Sequence, residues 1–333
     1  MTIARFDVLG IGNAIVDVLT RVEEDFLVQE DVAKGSMRLV DTDQAEDLYN
    51  KIGPATEISG GSAANTCVGT ASFGLGVAYF GKVANDPLGD IFSHDIRAAN
   101  VHFDTSRLVD DLPTARSMIL ITPDGERTMN TYLGACVKLT EADVDPAIVA
   151  DSAITYMEGY LWDPEPAKEA FRKAMTIAHD NGRKTAITLS DSFCVDRYRS
   201  EFLHLIQSKQ IDIVFANEHE AKALYETADL DTALALLQRD AGLAVVTVSE
   251  KGCIVLGEGD PLPVPAQTVE KIDDLTGAGD LFAAGFMAGL SRGKDHATSA
   301  KLGAIAGAEI ITHVGPRPNV SLKGLAEQNG ITL

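Results

Sequence analysis

The sequence predicts an α/β protein, a three-layer α/β/α sandwich whose mainly parallel sheet carries helices on both faces, with a small second β-sheet beside it. Three observations carry this. Short apolar runs bounded by glycine or charge alternate with helical patterns along most of the chain. Those runs are apolar at consecutive positions, as strands buried on both faces are. Two stretches break the alternation with a period-two pattern of their own.

In chain order the strand runs are 6–12 (FDVLGIG), 77–81 (VAYFG), 153–157 (AITYM), 185–190 (TAITLS), 211–216 (IDIVFA) and 243–248 (LAVVTV). Between them lie helical patterns at 62–73, 86–99, 165–181, 196–208, 218–226, 231–240, 276–291 and 295–312. The exceptional stretches are 14–41 and 103–133, the second with a PDG turn, and they predict a few antiparallel strands that cover a site as a lid. No repeat or low-complexity linker interrupts the chain. The expectation is one domain over 1–333, with the lid inserted at about 14–41 and 103–133 and the core built from the remainder.

A chain of 333 residues with 45% hydrophobic residues has the apolar surface for a substantial core. Its 28 basic and 49 acidic residues give a net charge of -21, which repels polyanions and excludes nucleic acid and anionic membranes as partners. Cys67, Cys136, Cys194 and Cys253 form no CxxC pair and read as reduced thiols of a cytoplasmic protein. No apolar stretch reaches the roughly 18 residues that a membrane span needs.

Two segments imitate nucleotide motifs. GIGN at 10–13 would need glycine at position 15 to complete a dinucleotide fingerprint, and Ile15 stands there. GVAYFGKV at 76–83 fits GxxxxGK, but Val83 replaces the magnesium-binding hydroxyl, and Val77, Tyr79 and Phe80 suit a core strand.

The segment 273–290 (DDLTGAGDLFAAGFMAGL) carries more chemistry. Gly277, Ala278 and Gly279 lead into a helix of small apolar residues, leaving backbone amides near its N-terminus unblocked. Such amides, with the helix dipole behind them, suit a phosphoryl group in transfer. Asp280 either accepts the proton of an attacking hydroxyl or complements the dipole; a charge alone would not require GAG before it. In 57–74 (EISGGSAANTCVGTASFG), Gly60 and Gly61 precede a helix with Asn65 in its first turn. That arrangement is either a backbone surface for a hydroxylated substrate or a turn before a tightly packed helix. Asp17, in GNAIVD, is a surface carboxylate or an acceptor for vicinal hydroxyls.

In this order and with these separations, GGSAAN at 60–65, NEHEA at 217–221 and DLTGAGD at 274–280 resemble the PfkB/ribokinase family of carbohydrate and nucleoside kinases. The GNAIVD opening and the THVGPRP run at 312–318 extend the resemblance over almost the whole chain. It implies a ribokinase-like fold and an ATP- and Mg2+-dependent phosphotransferase acting on an alcohol group. It assigns Asp280 as base, Gly277, Ala278 and Gly279 as anion hole, and Asp17, Gly60, Gly61 and Asn65 as sugar-binding positions. Asn217 and Glu220 match the NxxE pair that organises magnesium and the phosphates through water, although the same spacing alone reads as a capping box. Ser249, Gly252, Thr276, Ala304 and Gly307 resemble nucleotide-pocket positions, Ser249 standing where many members carry Thr. Asp274 and Thr276 match positions near a monovalent cation, K+, in some members, or they order the loop.

Within the family, 190–221 and the run ERTMNTYLGA at 126–135 resemble the adenosine-kinase branch more than the ribokinase branch. This implies a nucleoside acceptor, adenosine, phosphorylated at its 5'-hydroxyl to AMP with release of ADP. Met37, Met129, Leu133 and Tyr160 then wall the base. Arg127 either contacts substrate or phosphate when the lid closes or is a solvated hairpin charge. A sugar or sugar-acid kinase and a catalytically silent nucleoside-binding subunit are the alternatives. The lid edge leaves a monomer or a homodimer paired through the lid.

Overall fold

The computed structural model describes residues 4–110 and 112–333. Its strands are β1 (Phe6–Ile11), β2 (Ile15–Arg21), β3 (Met37–Leu39), β4 (Thr56–Gly60), β5 (Val77–Phe80), β6 (Val101–His102), β7 (Ala115–Ile121), β8 (Arg127–Tyr132), β9 (Ser152–Glu158), β10 (Lys184–Thr188), β11 (Ile213–Asn217), β12 (Leu243–Thr247), β13 (Cys253–Leu256) and β14 (Leu262–Val264). The α-helices are α1 (Glu24–Gln29), α2 (Thr42–Lys51), α3 (Ser62–Ser72), α4 (Pro87–Ala98), α5 (Pro146–Ala150), α6 (Glu165–Asp180), α7 (Ser192–Gln207), α8 (Glu218–Leu224), α9 (Leu230–Asp240), α10 (Ala278–Ser291), α11 (His296–Ile310) and α12 (Leu322–Gln328).

Nine strands form one sheet in the order β14-β13-β12-β11-β10-β9-β1-β5-β6. It is parallel from β12 to β6 and ends in the antiparallel pair β13 and β14. Alternation within each strand serves two cores. Leu9, Ile11, Met157, Ile187, Val214 and Val246 point to the layer containing α6, α7, α8 and α9. Val8, Ile154, Tyr156, Phe215 and Val245 point to α3, α4, α10 and α11. Both faces are thus dry, which is why these strands read as unbroken apolar runs. The six strands and eight helices expected from the sequence are all present, and GVAYFGKV is the buried strand β5. The short pair β13 and β14 was not anticipated; Pro263 is tolerated because β14 is the sheet edge.

The second sheet has five strands in the order β3-β8-β7-β2-β4, with its own core of Val18, Leu27, Leu48, Met118, Leu120 and Tyr132. Two corrections follow. The sheet is mixed, since β2 pairs β7 and β3 pairs β8 in parallel, whereas the sequence suggested antiparallel strands. The stretch 14–41 is not strand throughout: α1 interrupts it, with Glu24 and Asp25 favourably placed in its first turn. The sheet also recruits β4, whose glycine-rich end resembles a turn more than a strand in the sequence.

Candidate active site

The C-terminal ends of β9, β10, β11 and β12 open onto a cavity of about 340 Å³. Gly277, Ala278, Gly279 and Asp280 line it from one side, Asn217 and Glu220 from another, with Ser62, Tyr160, Thr188, Ser190 and the apolar Phe215, Val245 and Phe282 between. The large sheet creates this position: parallel strands end together, and the helices that follow begin there.

Gly277 is the N-cap of α10 and has φ 81°, a left-handed conformation that glycine adopts without penalty. That geometry turns the chain so that the N–H of Ala278 bonds the Leu275 carbonyl at 3.2 Å. The N–H groups of Gly277, Gly279 and Asp280 have no partner among the described residues. The bend therefore offers an anion the amides of Gly277, Gly279 and Asp280, a shift from the expected trio because Ala278 is already bonded. A side chain at 279 would meet nothing within 4 Å, so open space stands beside these amides.

Asp280 does not complement its own helix dipole through a local bond. Its carboxylate crosses to the first turn of α3, accepting from Ser62 Oγ at 2.7 Å and from Asn65 Nδ2 at 3.1 Å. Burial raises its pKa above the ordinary carboxylate value, opposed by these two bonds and by the positive charge of Arg317. Desolvation thus outweighs the partners that favour the ionised form and leaves the carboxylate more basic than an exposed aspartate. Asn65 Oδ1 is buried without a partner among the described residues, an acceptor that a substrate hydroxyl would satisfy.

Asp17 lies on β2 in the small sheet and is buried; burial raises its pKa to about 7, against the lowering influence of Arg317 and Arg127. Gly60 faces it so closely that a Cβ would stand 2.3 Å from Asp17 Oδ2. Gly61 has φ 94°, and a Cβ there would meet the Asn13 carbonyl at 2.2 Å. Gly60 is therefore a close approach of backbone to carboxylate and Gly61 one of backbone to backbone, so the pair is more than a simple turn.

Asn217 and Glu220 form the capping box of α8. Asn217 Oδ1 accepts from the N–H groups of His219 and Glu220, and Glu220 Oε2 accepts from the Asn217 N–H at 3.1 Å. The capping reading of NxxE thus holds, and both side chains also line the cavity. Burial pushes the Glu220 carboxyl up to about 7. Tyr160 is tied at both ends to Ser190, its N–H donating to Ser190 Oγ at 3.1 Å and its hydroxyl to the Ser190 carbonyl at 3.3 Å.

Other expected positions fall elsewhere. Ser249, Gly252, Ala304 and Gly307 stand outside this cavity's lining. Gly252, at φ 99°, is required by the hairpin between β12 and β13, where a Cβ would lie 2.1 Å from the Val264 carbonyl. Gly307 faces the Ala278 carbonyl at the start of α10. Met37 and Met129 are register partners on β3 and β8, and Leu133 follows β8. Arg127 is neither solvated nor free: its Nη2 pairs with Asp274 at 2.6 Å and its Nη1 donates to Thr276 Oγ1 at 3.1 Å. Asp274 also accepts from the N–H groups of Thr276 and Gly315. This carboxylate is thus neutralised by a guanidinium, and the arrangement does not fit a monovalent cation bound there.

Three residues without an assigned role in the sequence also belong here. Ser62 lies inside GGSAAN and Arg317 inside THVGPRP, so both stood in quoted motifs. Glu158 ends β9; its buried carboxylate accepts from Asn13 Nδ2 at 2.7 Å and the Ala63 N–H at 2.9 Å, and burial pushes its pKa to about 7.

A cavity walled by free helix-terminal amides and an oriented carboxylate has the groups that phosphoryl transfer needs. A model of the pfkB family of carbohydrate kinases matches residues 35–322, and the chain belongs to that family, phosphotransferases with an alcohol group as acceptor. The adenosine kinase of Sinorhizobium meliloti superimposes with a TM-score of 0.92 at 56% identity over 98% of this chain and 100% of that one. A probable sugar kinase protein from Rhizobium etli CFN 42 has a TM-score of 0.93 at 52% identity, over 98% and 99%. The adenosine kinase of Saccharomyces cerevisiae is 28% identical over 328 residues, 92% of this chain and 95% of that protein.

Proposed function

We propose that the protein transfers the γ-phosphate of MgATP to the 5'-hydroxyl of a nucleoside, adenosine, giving AMP and ADP. The observation that carries this is the Asp280 carboxylate, fixed on both oxygens by α3 and set one residue from unpaired amides at the mouth of the cavity. In this reading Asp280 takes the acceptor proton while the amides of Gly277, Gly279 and Asp280 stabilise the migrating phosphoryl. Such transfer is largely dissociative, so positioning and charge stabilisation matter more than a strong base. Asp17 and Asn65 hold the ribose hydroxyls against Gly60 and Gly61. The small sheet acts as a lid of the same domain, excluding water that would hydrolyse ATP.

The oxygen donors of Asn217 and Glu220 fit magnesium held through water, since both side chains are already bonded to each other's backbone. Magnesium, when bound, neutralises charge on the β- and γ-phosphates. No K+ is required in this reading, because Arg127 already serves Asp274, so replacing K+ by tetramethylammonium should leave the rate unchanged.

Met37 favours a nucleoside over a free sugar: it is a large apolar side chain 44% exposed on the small sheet beside Met129, a wall for a base that a sugar would not need. Similarity to the adenosine kinase of Sinorhizobium meliloti agrees, while similarity to the probable sugar kinase protein of Rhizobium etli supports the sugar-kinase alternative. ADP release from MgATP, scored against adenosine, other nucleosides, ribose, fructose and sugar acids, decides between them. Preference for adenosine supports this reading; preference for a free sugar overturns the substrate, and no ADP with any acceptor overturns the kinase.

A further inference from the structure

The chain between α11 and α12 touches both halves of the site at once. Pro316 packs on Gly277, where a Cβ would lie 3.2 Å away, and the Gly315 N–H donates to Asp274 Oδ2 at 3.0 Å, so this segment supports the phosphoryl-side bend. One residue further, Arg317 reaches the acceptor side. Its Nε donates to the Ser59 carbonyl at 3.0 Å, its Nη2 to Ser59 Oγ at 3.1 Å, and its Nη1 to the Ala64 carbonyl at 3.0 Å. Ser59 lies on β4 just before Gly60, and Ala64 lies in the first turn of α3 just before Asn65. The guanidinium therefore clasps the Gly60–Gly61 turn from both ends. Its backbone is suited to the task, because Pro316 and Pro318 flank it and the residue before a proline is held extended.

We propose that Arg317 is a positioning residue that sets the acceptor-binding turn in register with the Gly277–Asp280 bend. This rests on the nucleoside-kinase reading. No contact of Arg317 with a reacting atom is involved; it acts through the backbone of Ser59 and Ala64 and hence through Gly60, Gly61 and Asn65. Only a planar fork serves both carbonyls, and an ammonium at the same place cannot. The charge has a second consequence. Asp17 on β2, Asp95 on α4, Cys67 on α3 and Tyr79 on β5 face Arg317, and it opposes the burial of Asp17 and Asp280. Asp95 also accepts the Ser59 N–H at 3.1 Å, completing the clasp.

The test uses the full-length enzyme with adenosine, or with ribose if the wild type prefers it. Arg317→Gln should raise KM for the acceptor by about tenfold or more, the scale of losing hydrogen bonds from a charged group, and lower kcat, while KM for ATP stays within about twofold. Arg317→Lys should restore the pH profile of kcat but leave the acceptor KM elevated. Should Arg317→Gln be insoluble, Arg317→Lys and Ser59→Ala, which removes one bond of the clasp, carry the same comparison. An acceptor KM within twofold of wild type, an equal rise in both KM values, or full recovery with lysine would overturn the proposal. A wild type that phosphorylates no nucleoside or sugar would instead overturn the reading beneath it.

Discussion

The two sheets differ in what they bury. The nine-stranded sheet is dry on both faces, with strand residues such as Val8, Leu9, Val214 and Val246 fully enclosed by apolar neighbours. The five-stranded sheet buries Arg116, Ser117, Thr128, Asn130 and Thr131 as well, and Arg116 Nη2 and Asn130 Nδ2 find no partner there. The large sheet has unpaired polar atoms too, Tyr79 Oη and Thr155 Oγ1, but each is a single hydroxyl in an apolar core, whereas the small sheet buries a guanidinium and an amide among hydroxyls. In the proposed reading the phosphoryl-side groups gather at the strand ends of the large sheet, and Asp17 and Gly60 lie on the small one. In that reading the two halves of the reaction rest on differently built sheets, which makes them separable by mutation.

The sharpest way to break this division is Asp280→Asn. It removes the base while keeping the side chain's shape and one of its two accepting oxygens, so turnover should fall by about 10²- to 10⁴-fold while calorimetry still registers binding of ATP and nucleoside. Near-normal turnover would remove Asp280 from its role. Gly279→Val should act on the same half with a smaller effect. The new side chain enters open space, so the melting temperature should hold, while the phosphate cradle is blocked and kcat falls by about tenfold or more. An unchanged rate would argue against the amides.

The smallest effect concerns the junction between the halves. Glu158, with a pKa near 7 in the folded protein, holds its proton where an unfolded glutamate, at about 4.3, has lost it. Between these values the folded state binds more protons, so stability falls as pH rises from about 4.3 to 7, by up to about 1.4 kcal/mol per pH unit for this group. Glu158→Gln removes that contribution and should flatten the slope of unfolding free energy, measured by urea titration, across this window. An unaltered slope would mean that Glu158 ionises normally in the fold.

The dry sheet was legible because unbroken apolar runs admit few other structures, and GVAYFGKV was correctly separated from a phosphate loop by Val77, Tyr79 and Phe80. The small sheet was only partly legible. β4 ends at Gly60, which lies against the Asp17 side chain of the paired strand β2, and the sequence does not display such a contact. The bend at Gly277 was visible, but which amides remain free depends on the turn bond of Ala278. Arg127 and Asp274 lie 147 positions apart in the sequence, and no local pattern announces an ion pair of that separation. Ser62 and Arg317 sat inside quoted motifs without roles, because their partners are set by tertiary packing.

The most direct test of the account is the pH profile of kcat in the wild type and in Ser62→Ala. Ser62 donates to Asp280 and lowers its pKa, so its loss should move the acid limb, where rate rises as the base ionises, to higher pH. An acid limb that stays where it was, with kcat otherwise intact, would contradict the claim that the carboxylate held by α3 is the group that accepts the proton.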